Sequence, residues 1–228
     1  MSALELFKIL KRVHEQCLTE ADPVADHPGA TAIKIPLYPH QLTLLSAMNR
    51  FEQEGVKGID CSGRQTLYTS YGILGDSVGA GKSLVVLSHI AGLRQNNTLD
   101  SKPILDMKSS NTMFSVRHEN VMDCSEANAI IIVPHTLFRQ WSAYIKDQTG
   151  LNAICIDKRK IFQSETIFQD IMRSDLVLIS NTFYKEFSIL IRDRGITWRR
   201  AYIDEADTIS LTNYYPFPKA KIKPKLLF

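Results

Sequence analysis

Hydrophobic positions follow two regimes along this chain. From Ala129 onward, short apolar runs alternate with amphipathic stretches. Ala129-Ile130-Ile131-Ile132-Val133 is a continuous, largely β-branched run closed by Pro134, and it predicts a strand buried on both faces. Thr136 to Gln148 places Leu137, Trp141, Tyr144 and Ile145 on one side of a helix. The same reading gives a strand at Asn152 to Ile156, a helix at Ser164 to Met172 and a strand at Leu176 to Ile179. A helix at Thr182 to Ile191 and a strand at Arg200 to Ile203 complete the series. Buried strands alternating with helices predict an α/β domain whose central sheet is mostly parallel and covered on both faces, a three-layer arrangement.

Before Ala129 the pattern is looser. Ala3 to Leu18 carries Leu6, Phe7, Leu10, Val13 and Cys17 near one face and predicts an amphipathic packing helix. Asp22 to Ala32, with Pro23, Pro28 and Gly29, reads as a linker. Pro39 suits the first turn of a helix that continues through Leu42, Leu44, Leu45, Met48 and Phe51. Gln41, near that helix start, reads by itself as a surface residue. Glu54 to Arg64 reads as a loop, Leu67 to Leu74 as extended, and Leu84 to Ile90 as a buried helix. Arg94 to Ala127 is a long polar connection with a short strand expected at Thr112 to Val116. The domain plan is then a helix and linker over 1–32, one large domain over 33–213, and a basic tail over 214–228.

Composition narrows the class only slightly. The 228 residues are 44% hydrophobic and 22% charged, which suffices for a core without staples. A net charge of +3 permits a nucleic-acid partner without arguing for one. Cys17, Cys61, Cys124 and Cys155 show no metal-ligand spacing and read as reduced thiols of an intracellular protein. No apolar run reaches the roughly 18 residues that span a bilayer, so no membrane partner is expected. Charges among the first twenty residues exclude a signal peptide there.

In a parallel sheet, ligands gather at the carboxyl ends of the strands. The chain's polar punctuation falls there. Asp76-Ser77-Val78-Gly79-Ala80-Gly81-Lys82-Ser83 follows an extended run and opens a helix, the context in which a glycine-rich loop holds phosphates. Ser77, Gly79, Ala80 and Gly81 would present backbone N–H groups, Lys82 would reach the outer phosphates, and the Ser83 hydroxyl would meet Mg2+. Asp76 occupies the place where the general pattern has its first glycine. Asp204-Glu205-Ala206-Asp207 follows another strand. Asp204 there can hold the same ion through water, and Glu205 can orient or deprotonate an attacking water. Together the two elements predict a nucleotide site with Lys82, Asp204 and Glu205 as its chemical residues.

These motifs, in this order, resemble the first RecA-like lobe of a superfamily-2 helicase. The likeness is strongest to Swi/Snf-type ATPases and related helicases of large DNA viruses. Tyr38-Pro39-His40-Gln41 resembles the motif whose glutamine contacts adenine, and Gly72 to Ser83 resembles motif I, in which that subgroup also carries an acid at Asp76. Ile131 to Trp141 resembles motif Ia, Leu178 to Thr182 motif Ib, and Trp198 to Asp207 the DEAD-box motif II with its approach. The resemblance implies a RecA-like P-loop fold, ATP and Mg2+ as cofactors, and nucleic acid, DNA in preference to RNA, as partner. It implies backbone contacts from Pro134, His135, Thr136, Arg139, Ser180, Asn181 and Thr182, groups of the kind that bind phosphate oxygens without reading sequence.

The family continues with a motif III and a second RecA-like lobe that supplies an arginine to the reaction. Nothing after Asn213 resembles either. Two readings therefore stand. In one, the chain is the nucleotide-binding half of a motor completed by a second lobe or partner chain. In the other, it is a shortened relative with weak catalysis that serves as a component of a larger assembly. An unrelated P-loop NTPase, with its arginine supplied by another molecule, is a third.

Overall fold

A computed structural model describes residues 18–57, 59–60, 66–67, 71–92, 125–164, 166–206 and 225–227. The helix expected at Ala3 to Leu18 (its last residue apart), the strand expected at Thr112 to Val116, and Asp207 lie outside them. The elements, in order, are α1 (Pro39–Lys57), β1 (Ile59–Asp60), β2 (Thr66–Leu67), β3 (Tyr71–Ile73), α2 (Lys82–Ala91), β4 (Ser125–Val133) and α3 (His135–Gln148). Then come β5 (Ala153–Ile156), a 3-10 turn (Arg159–Gln163), α4 (Ile167–Arg173), β6 (Leu176–Ser180), α5 (Asn181–Asp193), β7 (Ile196–Ile203) and β8 (Lys225–Leu227).

The central sheet has the order β5-β6-β4-β7, with every neighbouring pair parallel. Its residues face two ways because side chains alternate along a strand. Ala129, Ile131, Val133, Leu176, Leu178 and Tyr202 join a core with α1, α2 and α3. Ile130, Ile132, Val177, Ile179, Ala201 and Ile203 join a second core with α4 and α5. This is the three-layer α/β architecture expected from the unbroken apolar runs.

Several boundaries differ from expectation. β4 starts at Ser125 and β7 at Ile196, because Ser125, Glu126 and Ala127 find parallel partners in Ile196, Thr197 and Trp198. Residues expected as loop from Glu54 to Arg64 include the end of α1 and β1, which pairs antiparallel with β2 just beyond them. The stretch expected as a linker is tied to the domain. Ile33 is fully buried, the amides of Ala32 and Ile33 donate to the Gly29 carbonyl, and Gly150 packs so closely on Thr31 that a Cβ there would lie 2.1 Å from its carbonyl oxygen. The basic stretch at 214–228 ends in a strand. β8 pairs in parallel with β3, Tyr71 opposite Lys225 and Ile73 opposite Leu227, and it runs beside β7. β8 thereby sits between the strand before the glycine-rich loop and the edge strand β7, as part of a two-stranded sheet separate from the central one.

Candidate nucleotide site and adjoining rim

Helix α2 begins at the glycine-rich loop, and its start is built for an anion. Gly81 is its N-cap residue, with φ 80°, and Gly79 has φ 87°. Both conformations are left-handed and suit glycine. No side chain caps the first turn and no acid lies in it, so the helix presents its amide dipoles unopposed. Asp76 folds onto its own loop, where its Oδ1 accepts from the Ser77 amide at 2.8 Å. Lys82 folds back as well, and its Nζ donates to the carbonyls of Asp76 at 2.7 Å and Ser77 at 2.9 Å. Beyond the first turn the helix is buried from Val85 to Ala91, which anchors the loop to the first core.

Asp204 lies directly after β7, its amide donating to the Ile132 carbonyl of β4 at 2.9 Å. One carboxylate oxygen, Oδ2, accepts from the indole Nε1–H of Trp141 at 2.8 Å. Glu205 follows with φ 49°, the one positive φ outside glycine among the described residues. A backbone outlier of this kind at a strand end is held by the surrounding structure and marks a site under constraint. Lys82, Ser83, Trp141 and Asp204 line a common recess of about 60 Å³, floored by Val86, Ile131, Tyr202 and Ile203. Lys82 and Ser83 of the loop thus line the same space as the strand-end Asp204. A glycine arch, a lysine, a hydroxyl and a hard carboxylate oxygen form a donor set that fits a Mg2+-nucleotide.

Gln41 is placed differently from a surface glutamine. It is 3% exposed, its Oε1 accepts from the Tyr38 amide at 2.9 Å, and its Nε2 lies 3.5 Å from the Gly81 carbonyl oxygen. A Cβ at Gly81 would meet that amide nitrogen at 2.2 Å, so Gln41 fills the space the glycine leaves open. The groups exposed at this corner are Tyr38 and His40, whose rings stack 5.8 Å apart while His40 Nε2 sits 3.1 Å from the Ala80 carbonyl oxygen.

The residues expected to meet nucleic acid form two neighbouring turns. Val133 of β4 is in register with Ser180 of β6, so the starts of α3 and α5 come together on one rim. The Ser180 hydroxyl lies 2.9 Å from that of Thr182 and 3.5 Å from His135 Nδ1. Ser180 and Pro134 are buried and brace the two turns, whereas His135, Thr136, Arg139 and Thr182 are exposed. Asn181 is half-buried, and its Oδ1 finds no hydrogen-bond partner among the described residues.

Beneath the site lies a polar cluster that the residue pattern did not reveal. Arg200 of β7 is 5% exposed and grips Glu52 of α1 with two nitrogens, Nε to Oε1 at 2.9 Å and Nη2 to Oε2. Its Nη1 donates to the His89 carbonyl of α2. His89 Nδ1 lies 2.9 Å from the Tyr202 hydroxyl, and its Nε2 lies 3.5 Å from Glu52 Oε2. Burial raises the Glu52 carboxyl, but the nearby His89 and the Arg200 grip outweigh it and bring the pKa to about 2. Burial, helped by the Arg200 charge, lowers His89 to about 4 against the pull of Glu52, so its imidazole is neutral near pH 7. The available signal was an arginine inside an apolar strand and a histidine inside an apolar helix, but their partners are remote in sequence.

Comparison with known proteins agrees with this geometry. The SNF2-related domain profile matches residues 40–215. Transcription termination factor 2 of Drosophila melanogaster is 21% identical over 210 residues, which cover 88% of this chain and 19% of that protein. Among solved structures, the Sulfolobus solfataricus SWI2/SNF2 ATPase core in complex with dsDNA superposes with a TM-score of 0.54 at 15% identity, over 87% of this chain and 32% of that one. The shared fold is the α/β RecA-like domain. This chain therefore spans about a fifth and a third of the lengths of these two relatives.

Proposed function

The chain belongs to the SNF2-related domain family, and from that premise we propose that it is the ATP-binding lobe of a nucleic-acid-dependent ATPase or translocase, working inside the cell on DNA in preference to RNA. One observation carries the proposal: Lys82 and Ser83, at an uncapped helix start, share a single recess with Asp204 at the end of β7. ATP supplies the phosphoryl group, and Mg2+ neutralises its charge, when both are bound. Lys82 then exchanges the carbonyls of Asp76 and Ser77 for phosphate oxygens. Ser83 and Asp204 would hold the ion, and the loop amides from Ser77 to Gly81 would cradle the phosphates. Glu205 orients the attacking water from its constrained backbone position.

On the adjoining rim, His135, Thr136, Arg139, Asn181 and Thr182 meet the nucleic-acid backbone, with Pro134 and Ser180 holding the two turns together. Contact between Gln41 and adenine requires its amide to leave Gly81. A second RecA-like lobe forms the opposite wall and supplies the arginine for transfer. This fits a chain that spans about a third of the Sulfolobus core. Calorimetric titration with MgATP tests the reading. The chain binds, and Lys82→Ala weakens binding about ten- to a hundredfold, the loss of one or two charge-assisted hydrogen bonds. A wild-type chain that binds no nucleotide, or a Lys82→Ala variant that binds equally well, overturns it.

A further inference from the structure

We infer that Trp141 is a positioning residue that sets the Asp204 carboxylate for cation binding and fastens it to helix α3. The inference rests on the nucleotide reading of this site. Trp141 is 4% exposed, and its ring is held in the first core with Phe138 and Ile145 of the same helix. A ring so packed has little rotamer freedom, and its only polar atom, the indole N–H, points at Asp204 Oδ2 from 2.8 Å. An indole nitrogen donates and never accepts, so the bond commits Oδ2 to the helix and fixes how the carboxylate is turned. Asp204 and Trp141 line the same recess, and the indole bond engages only Oδ2. A buried donor that orients a metal ligand commonly changes metal affinity by about ten- to a hundredfold when removed.

The placement has a second consequence. Trp141 stands less than two turns after His135 and Thr136, on the helix whose exposed first turn lies on the rim beside α5. A helix moves as a rigid rod over so short a length, so displacing the start of α3 displaces the indole and, through it, the carboxylate. Asp204 is thus anchored both to its own strand and to the helix that faces the proposed nucleic-acid track.

Trp141→Phe keeps a packed ring and deletes the donor. The test is Mg2+ titration of the full chain in the presence of ADP, beside ADP binding in chelator alone. The wild type responds to Mg2+. Trp141→Phe raises the Mg2+ concentration for half-saturation about tenfold and leaves ADP binding in chelator unchanged. In the ¹⁵N-labelled wild-type chain, one of the two tryptophan indole N–H resonances shifts as Mg2+ is added to the ADP-bound protein. That readout stands even if the variant fails to fold. Unchanged Mg2+ half-saturation in a folded Trp141→Phe chain, or indole resonances that ignore Mg2+, overturns the inference and leaves the nucleotide reading standing. A wild-type chain that binds no ADP overturns both.

Discussion

The two faces of the central sheet are made by the same four strands but enclose different cores. Beneath α4 and α5 the core is built from Ile130, Ile132, Ile171, Phe187, Trp198 and their apolar neighbours. Beneath α1, α2 and α3, apolar residues surround Glu52, His89 and Arg200, the buried acidic and basic side chains among the described residues. Apolar packing is insensitive to direction, so it fills space without fixing which helix sits where to a fraction of an ångström. A two-nitrogen grip of arginine on a carboxylate has a defined geometry. Here it joins α1, which carries Gln41, to β7, which leads into Asp204, and its third nitrogen holds α2, which carries Lys82. The polar core lies on the side where three elements must meet at one site, and the apolar core on the side where they need only be covered. Buried ion pairs are weak evidence for net stability, so registry is the role that best accounts for this one.

The sharpest way to break this contrast is to orphan Glu52. Arg200→Met leaves a buried carboxylate unpaired and is expected to destabilise the chain by about 3–5 kcal/mol in urea unfolding. Adding Glu52→Leu to Arg200→Met restores most of that loss, because an apolar pair needs no partner. If the double variant recovers stability yet keeps weakened nucleotide affinity, the cluster serves alignment. Full recovery of both would reduce it to packing.

A smaller effect is expected from pH. The His89 pKa is lowered from 6.5 to about 4 in the folded chain, so the unfolded chain binds more protons between those values. Its contribution is complete above pH 6.5 and is lost as pH falls toward 4. Glu52, lowered from 4.5 to about 2, adds a further loss below pH 4.5. Thermal melts from pH 7 to pH 4.5 should therefore show falling stability in the wild type and a flatter profile in His89→Gln. The smallest effect belongs to the other face. Ile132→Val should cost about 1 kcal/mol, with the wild-type dependence on pH unchanged.

Much of the sheet was readable in advance because each inner strand is a continuous run, and such runs carry their own signal. Ile130 to Val133 and Leu176 to Ile179 are examples, and the helices between them keep a clean period. The glycine-rich loop and the acid that follows β7 could be located for a related reason, since each is local. What escaped was everything made by pairs distant in the chain. Trp141 and Asp204 are 63 residues apart, and Arg200 and Glu52 are 148 apart. Gln41 read as a surface residue because its burial depends on Gly81, 40 positions away. β8 was hidden because lysine and proline, which surround it, are poor strand formers, and only its partner β3 makes it a strand.

That last pairing sets a clock on the molecule's birth. The strand leading into the phosphate loop is matched by one that leaves the ribosome roughly 150 residues later, which at ordinary translation speeds is on the order of ten seconds. Until then Tyr71 to Ile73, which lead into the glycine-rich loop, lack this neighbour.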